Sequence, residues 1–259
     1  MNATRILVTG AGGTLGGAVV TALRARGLLV RGLGRGPAPI TFDGEWTRVD
    51  LLSRQGLAAA LVDIRAVVHC ASNPEQPDED IHMIEGLSDS LAKSRIHFVY
   101  IGIAGIEEAA AVSPYYRAKL QCERKIAAGG APYTILRATQ MHSFVAHMLR
   151  RLSIGPMLLT PPITLQPVDP AFVARSLAIC SLGDPQEEGA VLHGPETLDM
   201  GVLAQDWLDA SGSRKLRLPV PAIGPLAAFR RLRRVQGLAG GLGWKAWLSR
   251  CGDEFSRDD

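Results

Sequence analysis

The sequence predicts an α/β fold, a doubly wound parallel sheet with a small C-terminal lobe, on three observations. First, an apolar run, Ile6 to Val8, leads straight into three glycines, Gly10, Gly13 and Gly16. An apolar-periodic segment follows at once: Ala18, Val19, Val20, Ala22, Leu23. Second, short apolar runs go on alternating with helical patterns through the first half of the chain. That alternation specifies crossovers between parallel strands rather than hairpins. Third, 259 residues with 47% hydrophobic side chains suit one large core with an appendage better than two equal domains. The expected division is residues 1–150 for the core and 151–259 for the lobe, the two completing one compact unit.

The glycines have separate tasks. Gly10 allows a tight turn from strand to helix. Gly13 lets backbone approach a pyrophosphate, whose charge sits on the N–H groups at the helix start. Gly16 lets the helix pack on the strand. The spacing is G-x-x-G-x-x-G, with Gly12 as a fourth glycine, rather than the commoner G-x-G-x-x-G. Between a strand and a helix it predicts a dinucleotide site in a Rossmann-type core. The plain alternative is a glycine-rich turn that binds nothing.

The first helix runs from Thr14 to about Arg26 and stops at Gly27. The second strand, Leu28 to Leu33, ends at Gly34-Arg35-Gly36-Pro37. In NAD-preferring sites an acidic side chain near this strand end holds the ribose 2′-OH. Here no Asp or Glu occurs before Asp43, and Arg31 and Arg35 lie there instead. An arginine at this turn pairs with a 2′-phosphate, so NADP (NADPH) is the expected cofactor, with Arg35 the better candidate and mid-strand Arg31 the weaker. A solvated turn arginine is the alternative. Trp46 to Val49 reads as the third strand, closed by Asp50-Leu51, and Ser53 is placed to cap a helix running to about Leu61. Ala66 to Cys70 is the fourth strand, broken by Ala71-Ser72-Asn73-Pro74. His69 reads as an interior strand residue rather than a ligand. A polar-faced helix, Pro77 to Ser94, and a fifth strand, His97 to Ile103, complete the pattern.

Ser113-Pro114 opens a further helix, with proline near its first position. Tyr115 and Lys119 are four apart and share a face. A lysine ammonium beside a phenol stabilises tyrosinate and lets the tyrosine deliver or take a proton near neutral pH. Tyr116, three before Lys119, competes for the role. A surface pair is the alternative for all three.

The tracts T-G-A-G-G-T-L-G, Y-Y-R-A-K and Y-T-I-L-R-A-T-Q (Tyr133 to Gln140), with Asp50 after the third strand, resemble the atypical short-chain dehydrogenase/reductases. Within them they resemble the NmrA-like NAD(P)-binding proteins. The resemblance covers the whole chain, loosely after about Leu182. It implies that Asp50 hydrogen-bonds the adenine, that Ala71 and Ser72 line the nicotinamide ribose side, and that Lys119 also holds that ribose. Thr14, Leu15 and Leu51 join the expected cofactor contacts. The sequence departs from the family at Gly102. Where the extended family usually carries Ser or Thr to polarise the substrate carbonyl, V-Y-I-G-I-A-G has glycine, and no Ser or Thr follows before Ser113.

Beyond Thr139 the chain builds the substrate side. Open α/β sheets bind ligands outside the carboxyl ends of their strands, which puts Gln140, Met141 and His142 at that rim together with Gly102. His142 and His147 are five apart, poorly spaced for a helical metal site, and no metal is expected. An extra strand is expected from Ile163 to Val168, a helix from Asp169-Pro170 to about Leu182, a strand at Val191 to His193, and a helix from Leu198 to Ala210. From Leu226 the apolar residues Phe229, Leu232 and Val235 alternate with Arg230, Arg231, Arg233 and Arg234. That pattern predicts a basic amphipathic helix, read as a solvated face over the lobe or as a contact to a membrane surface or an anionic substrate.

Net charge is only +3, but ten Lys/Arg against four Asp/Glu from Ser213 onward leave the rest at −3. Aromatic residues are 5% and no nucleic-acid reader motif occurs. The four cysteines form no C-x-x-C, which suits a reducing cytosol. No signal-peptide pattern or membrane-spanning run is read, so the expected location is cytoplasmic. The expected function is NAD(P)H-dependent reduction of a carbonyl or quinone-like small molecule, with Tyr115 as proton donor. The alternatives are an NADP-binding redox-sensing regulator without turnover, and nucleotide-sugar epimerase or dehydratase chemistry.

Overall fold

The computed structural model describes residues 4–42, 44–223 and 235–251. Numbered along the chain, the first half gives β1 (Arg5–Thr9), α1 (Thr14–Arg24), β2 (Leu29–Gly34), β3 (Glu45–Arg48), α2 (Leu57–Ala60), β4 (Ala66–His69), α3 (Pro77–Leu91), β5 (His97–Ile103), α4 (Ile106–Ala110), α5 (Pro114–Ala128) and β6 (Tyr133–Ala138). The second half gives α6 (His142–Arg151), β7 (Ser153–Ile154), β8 (Met157–Thr160), β9 (Thr164–Leu165), α7 (Pro170–Cys180), β10 (Glu187–His193), β11 (Leu198–Asp199), α8 (Met200–Ser211), β12 (Leu216–Pro219), β13 (Leu238–Ala239) and α9 (Trp244–Arg250).

The main sheet runs in the order β13-β10-β6-β5-β4-β1-β2-β3. The pairs β1/β2, β1/β4, β2/β3 and β4/β5 are parallel, with Leu7 opposite both Arg31 and Val67. The order reverses between β1 and β4, the point at which doubly wound folds open their ligand crevice. The fold is the expected Rossmann-type α/β sheet.

Two compact units divide the chain, and the division is interleaved. Unit 1 is residues 1–102, 114–137 and 173–190; unit 2 is 103–113, 138–172 and 191–259. In unit 1 a core of Leu7, Leu33, Val67, Ile84, Leu87, Phe98 and Ile126 packs the sheet against α3 and α5. In unit 2 a hairpin, β7 antiparallel to β8, takes β12 on its other side in parallel register. β11 pairs antiparallel with β9.

Several local expectations change. Ser53 caps no helix: its hydroxyl donates to the Asp50 carbonyl, turns cover 51–53 and 55–56, and only the single turn α2 forms after Gly56 in left-handed backbone. The strand expected over Ile163 to Val168 shortens to β9, because Pro167 interrupts it. The arginine-rich helix expected from Leu226 through Arg230, Arg231, Arg233 and Arg234 lies outside the described residues up to 234. Val235 is described, and its amide donates to the Gln166 side chain. Among the described residues no helix is long and apolar enough to cross a membrane.

Candidate functional site

Unit 1 carries a cavity of about 230 Å³ lined by Gly10, Gly13, Arg35, Asp50, Leu51, Ala71 and Ser72 together with residues not singled out from sequence, notably Asn73 and Glu79. Seven expected cofactor residues, scattered over more than sixty positions of chain, therefore face one space.

Its floor is the glycine turn. Gly10 has φ +63°, and a Cβ there would lie 2.8 Å from the Ala71 backbone. No side chain fits that approach between the ends of β1 and β4. The Gly10 amide donates to Leu33 O, and the Gly13 amide to Gly10 O. A Cβ on Gly16 would run into Gly10 O, so this glycine is fixed by helix–strand packing rather than by ligand approach. Leu15 and Gly16 are buried and Thr14 is exposed at the first position of α1. The helix starts at Gly13 with no side-chain cap. Its first N–H groups, which have no partner within the helix, are left for an anion.

Arg35 is exposed on the rim of the cavity. A residue read from sequence only as the start of the third strand shapes its loop. Trp46 packs against Gly32 and Gly34, where a Cβ would come within 2.8 Å of the indole, and its Nε1 donates to Gly36 O at 3.0 Å. Arg31, the weaker candidate for the 2′-phosphate, is committed elsewhere. It is buried, donates to the carbonyls of Ala60 and Val62, and pairs with Glu45 at 2.8 Å.

The opposite wall begins at the end of β4. Thr9 Oγ1 accepts from the amides of Cys70 and Ala71 and lies 2.8 Å from His69 Nδ1. With both amides on its oxygen, the hydroxyl proton goes to His69. Burial first, then Lys119, pulls that imidazole down to about 3, with Asp80 opposing, so it stays neutral. The expected interior role of His69 holds.

Asp80, on α3, is the residue that sequence reading missed. It is 1% exposed. Its Oδ2 accepts from the Ser72 hydroxyl at 2.7 Å and pairs with Lys119 Nζ at 2.9 Å, while Oδ1 accepts the Asn73 amide at 2.7 Å. Asn73 in turn donates to Glu79, which lines the cavity. One carboxylate thus ties the loop after β4 to the lysine of α5. Lys119 Nζ lies 5.7 Å from the ring centroids of both Tyr115 and Tyr100. Burial alone would lower this ammonium, but Tyr100, Tyr115 and Asp80 outweigh it and hold it above the ordinary lysine range.

Tyr115 and Tyr116 now separate. Tyr115 is half-buried with its ring beside Lys119; Tyr116 is buried, and desolvation first, then the neighbouring Tyr115, raises its phenol.

Gly102 faces the same helix. A Cβ there would overlap the Glu123 carboxylate and sit 3.4 Å from Arg137 Cγ. Glu123 is buried, and Arg137 holds it through Nε and Nη2, the shorter bond being 2.8 Å. The place of the family hydroxyl is filled by an ion pair, so Gly102 is not an open space for a ring or a substituent.

Gln140 and Met141, in unit 2, are half-buried. His142 does not stand at a rim. It is fully buried, with Nε2 2.9 Å from Leu242 O and its ring against Trp244 and Trp247. Burial lowers its imidazole. This corrects the substrate-side expectation: apolar packing around α9, a helix not foreseen from sequence, claims the side chain. Among the described residues no cluster of three His, Cys, Asp or Glu side chains is arranged for a metal.

A family model described as NAD(P)H-binding matches residues 10–150, more than half of the chain. The chain belongs to that NAD(P)H-binding family. The fold is the Rossmann-type fold of NAD(P)-binding proteins. Similar solved structures include TunA, an NAD-dependent NDP-hexosamine 5,6-dehydratase of tunicamycin biosynthesis, at TM-score 0.75 and 18% identity over 98% of this chain and 99% of that one. UDP-N-acetylglucosamine 4-epimerase from Bacillus cereus aligns at TM-score 0.72 and 18% identity over 99% and 98%. Triphenylmethane reductase from Citrobacter sp., complexed with NADP(H), aligns at TM-score 0.70 and 21% identity over 83% and 79%. At these identities the likeness is one of fold. A comparison with curated proteins found no match.

Proposed function

We propose that the protein is an NADPH-dependent reductase of a carbonyl or quinone-like small molecule. The observation that carries this reading is the Tyr115–Lys119 pair, held by Asp80 beside the cavity wall formed by Ala71, Ser72 and Asn73. The glycine turn offers the backbone approach and the uncapped helix start that a pyrophosphate requires. Arg35 is the residue for a 2′-phosphate, Asp50 and Leu51 for the adenine, and Ser72 with Lys119 for the nicotinamide ribose. When bound, the nicotinamide supplies the hydride. Tyr115 delivers the proton to the substrate oxygen, and general-acid help of this kind contributes about 10²–10⁴-fold.

A second reading is favoured by Gly102. With Glu123 and Arg137 in place of the family hydroxyl, a regulator that binds NADP and a protein partner without turnover needs nothing further from the site. Nucleotide-sugar epimerase or dehydratase chemistry, the activity named for TunA and for the Bacillus cereus enzyme, enters as a third substrate class to test.

The test is anaerobic. NADPH carrying deuterium at C4 is incubated with the protein and panels of carbonyls, quinones and nucleotide sugars. Deuterium carried into a carbonyl product, or C4 deuterium lost from NADPH as a quinone is reduced, supports the reductase. No transfer to any member, together with a partner captured only in one cofactor state, overturns it in favour of the regulator.

A further inference from the structure

We propose that Asp80 is a positioning residue that cancels the charge of Lys119 at Tyr115, so that the phenol keeps its proton and the site is poised to give one rather than to take one. This rests on the reading of Tyr115 as the proton donor.

In unit 1 the titratable groups around the Lys119 ammonium come from four elements. β4 and its exit contribute His69 and Cys70, α3 contributes Asp80, β5 contributes Tyr100, and α5 contributes Tyr115 and Cys122. Tyr116 stands next to Tyr115, the ring centroids 5.5 Å apart. Burial keeps nearly all of these uncharged at neutral pH. It pulls His69 down to about 3, pushes the Cys70 thiol to about 12 and the Cys122 thiol to about 11, and raises Tyr100 and Tyr116. Glu123, one turn along α5, is already paired with Arg137. Among the described residues of this cluster, Asp80 is therefore the counter-charge to Lys119. Every partner of its carboxylate is a donor: the Ser72 hydroxyl, the Asn73 amide and the ammonium itself.

A lone ammonium 5.7 Å from a phenol ring stabilises tyrosinate strongly. At an effective dielectric constant of about 20, a unit charge held about 6 Å from a phenolate oxygen would shift its ionisation by about two pH units. A carboxylate 2.9 Å from the same nitrogen turns that cation into a short dipole and removes most of the effect. A Tyr–Lys pair without such a carboxylate holds part of its tyrosine as tyrosinate near neutral pH and can take a proton as well as give one. With it, the pair is suited to an acid, which must hold phenol. Because the carboxylate also binds Ser72 and Asn73, the balance of charge is built into the cavity wall.

The core of the test is wild type, Asp80→Asn, Lys119→Met and the double variant, each checked for its fold by circular dichroism. With tyrosine labelled at the ζ carbon, NMR follows the ionisation of each of the four tyrosines, and Tyr115→Phe identifies the signal. Tyr115 should ionise about one pH unit or more lower in Asp80→Asn than in wild type. It should return close to wild type in the double variant and move higher in Lys119→Met. Asp80→Glu should restore the wild-type value. If Asp80→Asn fails to fold, wild type against the double variant decides. A wild type that ionises a full unit below the double variant shows that Lys119 acts uncancelled, and overturns the proposal. So does an Asp80→Asn protein that titrates like wild type. The alkaline limb of the reductive rate should follow the NMR shift. An NMR shift without a matching movement of that limb supports the charge balance and refutes Tyr115 as proton donor, so the two readings fail separately.

Discussion

Placing a serine at position 102 restores the family hydroxyl in sequence but not in space. A Cβ on Gly102 overlaps the Glu123 carboxylate and comes within 3.1 Å of its Cδ and 3.4 Å of Arg137 Cγ. Glu123 must rotate away, and with it goes the geometry of its two bonds from Arg137 Nε and Nη2. Overpacking of this kind costs about 1–3 kcal/mol. Loss of the pair adds to that, though less than for a fully buried pair, because the Arg137 side chain is 26% exposed and keeps part of its hydration. We expect Gly102→Ser to destabilise by about 2–4 kcal/mol, lowering Tm by roughly 5–10 °C for a chain of this size. The informative comparison is the double-mutant cycle with Glu123→Ala. Removing the carboxylate gives the serine room, so the double variant should be less destabilised than the sum of the singles by about 1–3 kcal/mol. Urea denaturation monitored by fluorescence measures all four corners. Additive costs would refute the placement of Glu123 in the serine's space, as would a Gly102→Ser protein as stable as wild type. No gain in turnover is expected from Gly102→Ser alone.

Arg35→Glu should weaken NADPH binding by more than about tenfold, ~1.4 kcal/mol, and change NADH far less, as read by calorimetric titration; equal affinities for the two cofactors in the unmodified protein would remove the 2′-phosphate role. Tyr115→Phe should lower turnover by about two orders of magnitude with NADPH affinity nearly intact, whereas Tyr116→Phe should leave the rate close to wild type and show its effect in stability. The reverse pattern would move the proton to Tyr116. Acid should destabilise the fold through His69. Its native imidazole titrates at about 3, against about 6.5 in an unfolded chain. Between those values the unfolded chain binds a proton that the native state refuses, so the stabilisation is whole above about pH 6.5 and is lost as pH falls toward 3. His69→Gln should flatten the decline in urea midpoint between about pH 6.5 and 5, leaving the share due to His97 and His142, whose imidazoles burial also lowers. An unchanged slope would count against the assignment.

What the sequence made legible is what local geometry determines. Gly10, Gly13 and Gly16 sit between an apolar run and a periodic one, and the structure brings them to one turn with Ala71. Asp50 and Arg35 follow strand ends, and strand ends converge in a parallel sheet. The rest depends on partners far along the chain. Asp80 looked like one of three acids in P-D-E-D at the start of a polar-faced helix. Only its periodicity with Ile84, Leu87 and Leu91 marks it as facing the core, and nothing local names Lys119 as its partner. Glu123 shares a face with Lys119 and Ile126 in the same way, but Arg137, on β6, decides its role. His142 stood at a strand exit, where ligand contacts are common. The tryptophans that bury it come a hundred residues later, from a helix too short to read. The hairpin β7–β8 turns at Gly155-Pro156, inside a run whose prolines masked the strand pattern.

The order in which unit 1 is assembled has a consequence for its synthesis. Its last segment is residues 173–190, and two of its bonds reach far back. Arg65 donates to Leu182 O across 117 positions, and the Gln186 amide to Thr134 Oγ1. At about 5–20 residues per second, translation leaves Arg65 waiting roughly 6–23 s for its acceptor. During that interval the edge of β6 that β10 will cover is an open template for pairing with other chains. The nucleotide-binding half therefore emerges early but closes late, and the nascent chain is most exposed to aggregation or to capture by chaperones while the residues from about 138 to 190 are being made.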